Sequence, residues 1–175
     1  MTVMRIVKLG ADVLARKTDP VTSWDEGLAR LVTDMEQTMH AARGIGLAAN
    51  QVGLPLALAI IDLDPGGPES HLWVLTNPEI VESDGAVKDD EGCLSIPSLS
   101  AIVERADRVV ARYRDLAGEE QHVEGTGLMA RALCHEIDHL NGFLFTQRIP
   151  GVRGDLVRRR ARKMQRSGDW DDVTP

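Results

Sequence analysis

The stretch GLMARALCHEIDHLNG, residues 127–142, predicts one helix that carries several ionisable side chains close together. Asn141 and Gly142 are its stop signal. Because a helical residue advances by about 100°, His135 and His139 lie one turn apart on one face, with Glu136 beside them. This is the HExxH pattern, in which two imidazoles can hold a metal ion and the carboxylate can reach a water molecule. The alternative is a buried helix with a polar end.

The two other polar neighbours lie off the face of the histidines. Cys134 falls about 100° to one side of His135, so we predict that its thiol points away and is not a metal ligand. Asp138 could support a ligand or pair with an arginine, and Arg105 is a candidate partner.

A third metal ligand is expected from upstream, because no His or Cys follows His139 and acidic residues are few there, namely Asp155 and three in the DWDD tail. The segment DDEGCLSIP offers Cys93, and one Cys with two His leaves a fourth position open for water. A buried structural cysteine is the alternative reading for Cys93 taken alone. With only two cysteines, the chain is predicted to carry free or metal-bound thiols and no disulfide framework.

Composition narrows the class of protein. The 175 residues carry a net charge of −7 and are 43% hydrophobic but only 3% aromatic. We therefore expect no DNA binding and no stacking platform for single-stranded nucleic acid. No apolar run approaches membrane-spanning length, and the start, MTVMRIVKLG, has no signal-peptide pattern, which predicts a cytoplasmic protein. We find no repeat or linker and expect one domain over residues 1–175.

The remaining elements predict an α+β fold. TSWDEGLARLVTDMEQTMHAARG, residues 22–44, reads as a helix with a capping box of Ser23 and Glu26 and with Gly44 after its end. LALAIIDLD, HLWVLTNPEIV (interrupted at Asn77-Pro78) and residues 101–125 read as strands. A basic helix is expected over 152–167, followed by a tail, 168–175. We expect mainly antiparallel strands packed around a central metal-binding helix, with an N-terminal and a C-terminal helix.

Three separated motifs resemble those of bacterial peptide deformylases. They are GIGLAANQVG from Gly44, EGCLS from Glu91 and HEIDH from His135, and their order and spacing also match. NPEI and HLNGFLF fit the flanking pattern, so the resemblance covers nearly the whole chain. It implies an enzyme that removes the formyl group from formyl-methionyl nascent polypeptides and releases formate.

The resemblance also implies the roles of single residues. Cys93, His135 and His139 would bind one divalent metal ion, typically Fe2+ in the cell, with Zn2+, Ni2+ or Co2+ able to replace it. Glu136 would be the general acid/base. The formyl oxygen would be held by the Gln51 side chain and the Leu94 amide, and the substrate backbone would pair with Ile45, Gly46 and Gly92.

Elementary chemistry agrees with this implication. Formamide hydrolysis at neutral pH needs an activated water, and a divalent metal ion lowers the pKa of a bound water enough to supply a nucleophile. Glu136 can take the proton from that water and pass it to the leaving amine. Cys93 is a soft ligand that suits either Fe2+ or Zn2+.

The helix wheel also predicts pocket residues. Leu128, Arg131 and Ala132 lie below the histidines on the same face and could line a pocket for the methionine side chain. Core packing is the alternative for Leu128 and Ala132. Arg131 needs a partner or a route to solvent, and Glu91 is a candidate.

The sequence departs from the family pattern at three places, with different expected consequences. Cys134 stands where the family commonly has Gln, which adds an oxidation-sensitive thiol. SLSAIVER, from Ser98, replaces glycine or charged residues at the border of the substrate groove, so the preference beyond methionine is open. Thr146-Gln147 stands where the family often has an acidic residue, and we interpret this difference as structural.

The basic C-terminal helix raises a question about a partner. From Arg153 to Arg166 there are seven Lys/Arg and one Asp. A solvated basic face is the default interpretation, and docking on ribosomal RNA is the alternative.

Two rival functions differ in class. One is a metalloprotease that cuts internal peptide bonds, against which the upstream Cys93 argues. The other is a non-catalytic metal-binding or ribosome-associated module. Glu136 and Gln51 argue against that, because a structural site needs neither.

Overall fold

Residues 2–168 are described by the structure, a computed structural model, and they form three α-helices and seven β-strands. The helices are α1 (Glu26–Ala41), α2 (Gly127–Leu140) and α3 (Gly151–Ser167). The strands are β1 (Gly46–Ala48), β2 (Leu58–Ile61), β3 (Trp73–Asp84), β4 (Val87–Cys93), β5 (Ile96–Arg105), β6 (Arg108–Arg114) and β7 (Glu120–Thr126). Short 3-10 helices span Asp12–Ala15, Ala49–Val52 and Phe145–Arg148.

The strands form two separate antiparallel sheets. Five strands pair in the order β1-β2-β3-β6-β7, and β4 pairs with β5 as a two-stranded ribbon. Every pairing between named strands is antiparallel. The prediction of an α+β fold with mainly antiparallel strands is confirmed. From residue 169 on, the predicted tail lies outside the described residues.

Helix α2 has the bounds that its sequence pattern predicted, Gly127 to Leu140. Its apolar residues pack on the five-stranded sheet in a core cluster with Ile61 and Leu75. At the C-terminal end the left-handed residue is Gly142, with φ +79°. A Cβ at Gly142 would lie 2.8 Å from the backbone carbonyl carbon of Arg16, so only glycine lets the N-terminal segment pass this close.

The ends of α1 differ from the prediction. The predicted capping box of Ser23 and Glu26 is wrong. The N-cap is Asp25, whose Oδ1 accepts from the amides of Gly27 and Leu28 at 2.9 and 3.1 Å, while Ser23 donates to Asp25. A carboxylate one residue before the helix satisfies the free amides better than a hydroxyl further away. The left-handed residue after the helix is Arg43, not Gly44.

Strand β3 continues through Asn77-Pro78, so the prediction of a broken strand is wrong, but its regular pairing with β6 is interrupted at this dipeptide. The register with β6 shifts between Thr76 and Glu79, and this irregularity accommodates a proline that has no amide to donate. Asn77 adopts φ +51°, and its side chain exchanges two hydrogen bonds with the Val21 backbone.

Helix α3 begins at Gly151, one residue before the predicted start. Its inner face buries Ala161, together with Val157 and Met164, against the cluster that contains Ile96 and Phe145. The basic side chains lie on its outer face. Within residues 2–168, no helix combines the length and apolar character needed to cross a membrane.

Candidate active site

Three potential metal ligands converge where the β4–β5 ribbon meets α2. Cys93 is the last residue of β4, and His135 and His139 lie on consecutive turns of α2. The Sγ of Cys93 is 3.2 Å from Nε2 of His139, and the Nε2 atoms of the two histidines are 3.1 Å apart. All three ligand atoms lie within 4.8 Å of one another.

This spacing fits one shared ion. With metal–nitrogen distances of about 2.0–2.1 Å and a metal–sulfur distance of about 2.3 Å, ligand atoms at tetrahedral angles lie about 3.3–3.6 Å apart. The observed 3.1 and 3.2 Å are within a few tenths of an ångström of these values. One thiol and two imidazoles are donors that suit a zinc or iron ion. The cluster can therefore hold a divalent metal ion.

Glu136 lies beside this cluster with an unused oxygen. Its side chain is buried, and among residues 2–168 its Oε2 has no hydrogen-bond partner. Burial raises the pKa of Glu136 to about 7, although the charge of His135 acts to lower it. A carboxyl group with this pKa can both accept and donate a proton at neutral pH.

Gly46 leaves room for this carboxyl group. A Cβ at Gly46 would clash with Oε1 of Glu136 and lie 3.0 Å from its Cδ. The absence of a side chain at residue 46 therefore lets β1 pass directly over the Glu136 carboxylate.

Glu91 fixes the orientation of His135 from the side away from the cluster. Its Oε1 is 2.7 Å from Nδ1 of His135, and its oxygens accept from Arg105 at 2.6 and 3.0 Å and from Arg131 at 2.8 Å. Burial raises the pKa of Glu91, but hydrogen bonds from His135 and Arg105 outweigh it and lower the pKa to about 2. An ionised Glu91 accepts a hydrogen bond from Nδ1–H of His135, which leaves Nε2 free to bind a metal.

Asp138 extends this buried ion network. Arg105 donates to Asp138 at 2.6 Å, and Arg148 donates through both Nε, at 2.8 Å, and Nη2. The two pairings expected from the sequence, Arg131 with Glu91 and Arg105 with Asp138, are confirmed. Arg148 was missed, because it lies outside every motif and reaches Asp138 only through the tertiary fold.

Gln51 contacts the cluster through Cys93. It lies in the 3-10 helix after β1, is fully buried, and has its Nε2 3.5 Å from Sγ of Cys93 and 3.2 Å from Oγ of Ser95. Its Oε1 accepts from the amide of Ala48 at 2.9 Å, which fixes the amide group with its donor towards the site. Its neighbour Asn50, also missed from the sequence, donates to the carbonyl of His139 and ties α2 to the same segment.

A cavity of about 600 Å³ opens onto these groups. Its wall includes all six residues predicted to bind substrate, namely Ile45, Gly46, Gly92, Leu128, Arg131 and Ala132. Leu94 also lines it, as do Ser98, Leu99 and Ser100 from the segment expected to border the groove. Leu128 is 53% exposed, which excludes core packing as its role, whereas Ala132 belongs to both the core and the wall.

Cys134, on α2, belongs to the core cluster and is not part of the ligand group, as the helix wheel predicts. Burial raises the pKa of its thiol. Because the thiolate is the form that oxidises readily, this environment argues against the oxidation-sensitive role expected from the sequence.

Comparison with known proteins gives the family. The family model described as polypeptide deformylase matches residues 3–154. The chain belongs to the polypeptide deformylase family. Deformylases remove the N-terminal formyl group from nascent peptides, so the chain is an enzyme that acts on N-formyl-methionyl peptides.

Individual deformylases resemble the chain over nearly its full length. A peptide deformylase of Acidobacterium capsulatum is 45% identical over 170 residues, 97% of this chain and 100% of the relative. The crystal structure of a peptide deformylase from Legionella pneumophila superposes with a TM-score of 0.86 at 38% identity, covering 97% and 99% of the two chains. A deformylase from Synechococcus elongatus in complex with actinonin gives a TM-score of 0.86 at 36% identity, covering 98% and 91%.

Proposed function

We propose that Cys93, His135 and His139 bind one divalent metal ion, Fe2+ in the cell, and that deformylation takes place in the cavity above them. The observation that carries the proposal is the convergence of three ligand atoms beside a buried carboxyl oxygen that has no partner within residues 2–168. When bound, such an ion lowers the pKa of a water molecule and polarises a carbonyl oxygen. Zn2+, Ni2+ or Co2+ would fit the same donors.

Glu136 acts as the general acid/base. Its burial keeps its pKa near neutrality, Gly46 covers one oxygen, and the other oxygen has no partner within residues 2–168. In the first step Glu136 takes a proton from the attacking water, and in the second it gives that proton to the leaving amine of methionine. Formate and the free N-terminus are the products.

Gln51 and the backbone amide of Leu94 hold the formyl oxygen as negative charge develops on it. The support for Gln51 is the position of its Nε2 beside Cys93, with the opposite end of its amide anchored on Ala48. Preorganised donors of this kind each contribute about 10²–10³-fold in rate.

The substrate peptide lies extended between the backbones of Ile45–Gly46 and Gly92. A Cβ added at Gly92 would meet nothing closer than 3.7 Å, and the backbone there has no left-handed φ, so the fold itself does not require glycine. Glycine at residue 92 is explained by the close approach of a substrate backbone, which a side chain would obstruct. Leu128, Ala132 and the aliphatic stem of Arg131 then form the pocket for the methionine side chain.

The decisive experiment measures formate release from formyl-Met-Ala-Ser. The protein is purified without oxygen, its metal content is assayed in the same sample, and Glu136→Ala serves as the control. Metal-dependent release that disappears in the control is the expected result. Bound metal without release, even after loading with Fe2+ or Ni2+, would favour a non-catalytic metal protein, and digestion of casein would favour a protease.

Actinonin gives an independent test of the cavity. Because the Synechococcus relative forms a complex with actinonin, we propose that the cavity of this chain binds it as well. Calorimetric titration of the metal-loaded enzyme should show one binding site per chain. Unchanged affinity in Cys93→Ser and His139→Ala variants that have lost their metal would contradict the assignment of the ligands.

The basic outer face of α3 is proposed to contact the ribosome, in the cytoplasm where nascent chains emerge. Arg159, Arg160, Lys163 and Arg166 line a shallow groove on this face. Deleting α3 would also uncover the core against which Ala161 packs, so charge reversal is the sharper test. Ribosome co-sedimentation of Arg159→Glu/Lys163→Glu should weaken, and wild-type binding should fall steeply with salt, whereas Arg16→Glu should bind normally.

A further inference from the structure

Arg43 has a backbone conformation that arginine rarely adopts. Its φ is +55°, in the left-handed region, at the position after α1 where helices usually carry glycine. The amide of Arg43 donates to the carbonyl of His40, and the amide of Gly44 donates to that of Met39, so this turn ends the helix. Glycine would close it without the strain that an L side chain incurs. The fold therefore gives no reason for arginine at residue 43.

The Arg43 side chain instead lines the mouth of the active-site cavity. It is exposed, and it forms no side-chain hydrogen bond or ion pair with the part of the chain that the structure describes. A residue in a strained conformation at the border of a site points to a role in function.

Asp90, on the β4–β5 ribbon, brings a negative charge to the same cavity as Arg43. It is exposed on β4, lines the same cavity, and its carboxylate has no hydrogen bond or ion pair among residues 2–168. Asp90 projects from the same face of β4 as Gly92, because side chains alternate along a strand. The cavity mouth thus carries two opposite charges that pair neither with each other nor with a neighbour in the described chain.

The number of intervening residues limits how far each charge can lie from the reacting atoms. Arg43 precedes Gly46, which lies over Glu136, by three residues, and Asp90 precedes the ligand Cys93 by three residues. Three residues span at most about 10 Å of chain. An extended substrate spans this limit from its formyl carbon within two or three residues, so its second and third residues are the ones within range of these charges.

We propose that Arg43 and Asp90 form an outer subsite that reads the charge of the second and third substrate residues, Arg43 taking an acidic side chain and Asp90 a basic one. The inference rests on the proposed function of the cavity and adds a substrate preference to it. The favoured substrates are nascent chains that carry one acidic and one basic residue directly after methionine. One of the two orders, acidic–basic or basic–acidic, is preferred over the other.

Two isomeric peptides test this subsite, formyl-Met-Asp-Lys-Ala and formyl-Met-Lys-Asp-Ala. They have the same composition and net charge, so the overall field of the protein does not distinguish them. The expected result is a ratio of kcat/KM values of about fivefold, the upper range for one exposed ion pair. Arg43→Glu/Asp90→Lys, which keeps the net charge of the enzyme, should invert the order of preference. Raising the salt to about 1 M should bring the ratio close to one.

Two control variants show whether a change in the kcat/KM ratio comes from the charges at the cavity or from a change in protein structure. Arg16→Glu/Asp12→Lys swaps two exposed charges outside the cavity and should leave the ratio unchanged. Arg43→Gly should lower the ratio while raising the melting temperature, because it relieves the strained turn. Equal kcat/KM for the two peptides in the wild type, or the same order of preference after the charge swap, would overturn the subsite. Absence of formate release from either peptide and from formyl-Met-Ala-Ser would instead refute the proposed function.

Discussion

The Gly46→Ala substitution tests whether catalysis depends on the position of the Glu136 carboxylate, because it leaves Glu136 itself unchanged. The added methyl group would clash with Oε1 of Glu136 and lie 3.0 Å from Cδ, where an ordinary contact begins at 3.4 Å. The backbone of residue 46 has no left-handed φ, so alanine is compatible with the strand, and the carboxylate has to retreat. A displacement of about 1 Å in a reacting group costs about 10²-fold in rate.

We therefore expect Gly46→Ala to lower kcat for formyl-Met-Ala-Ser about 100-fold with a smaller change in KM. Metal content should stay at the wild-type level, because Cys93, His135 and His139 are untouched. Gly92→Ala is the matched control, since its Cβ would meet nothing closer than 3.7 Å; it should raise KM and leave kcat nearly intact. A Gly46→Ala enzyme with wild-type kcat would show that Glu136 is not held against β1 during the reaction.

Four further predictions concern the surroundings of the site. Glu91→Gln should weaken metal binding about 10–100-fold, measured by chelator competition, and unchanged affinity would exclude an orienting role. Arg105→Ala leaves Glu91 and Asp138 less compensated, so urea denaturation should show a loss of about 3–5 kcal/mol, and a loss below about 1 kcal/mol would contradict the network. Dialysis against a chelator should abolish formate release and lower the melting temperature, and Fe2+ or Ni2+ should restore both; full activity without metal would exclude the ligand assignment. Asp62→Asn should destabilise the protein at neutral pH by an amount that shrinks in acid, and urea midpoints that differ equally at pH 7 and pH 3 would refute this.

The sign of the Asp62 prediction follows from its contacts. Burial raises the pKa of Asp62, but hydrogen bonds from Ser70 and from the amides of Asp64 and His71 outweigh it, so the folded pKa lies below the ordinary 3.8. The carboxylate therefore stabilises the fold above about pH 3.8, and this contribution is lost as the pH falls through the lower folded value.

Local pattern was sufficient for the helix that carries the histidines. The apolar period and the Asn141-Gly142 stop predict its bounds, and the lack of a His or Cys after His139 directs attention to Cys93. These signals act over one or two turns or by simple exclusion. Contacts that depend on the tertiary fold could not be predicted in this way. Arg148 and Asn50 reach α2 from separate segments, and nothing in their local sequence indicates these contacts.

Strand β4 escaped prediction because its sequence, VKDDEGC, is mostly charged. It is held by pairing with β5, by the ion pair of Lys88 with Glu104 and by the buried Glu91, none of which a hydrophobic alternation detects. Conversely, Asn77-Pro78 suggested a break, and the sheet tolerates it by a shift of register. The cap at Asp25 was misplaced for a related reason, since several polar residues in a row each satisfy a capping pattern.

The candidate metal centre combines side chains from two separate parts of the fold. Cys93 belongs to the ribbon and the histidines to the helix on the other sheet, and the Cys93–His139 pair is separated by 46 positions in the chain. Two ion pairs dock the ribbon on the helix without needing a metal ion, Arg105 with Asp138 and Glu91 with Arg131. We therefore expect folding to bring the three candidate ligands together before an ion binds, in contrast to small domains that stay unfolded until they bind zinc. Metallation would then be a late step on a folded protein, and the supply of ions in the cell would decide which one is carried without altering the fold.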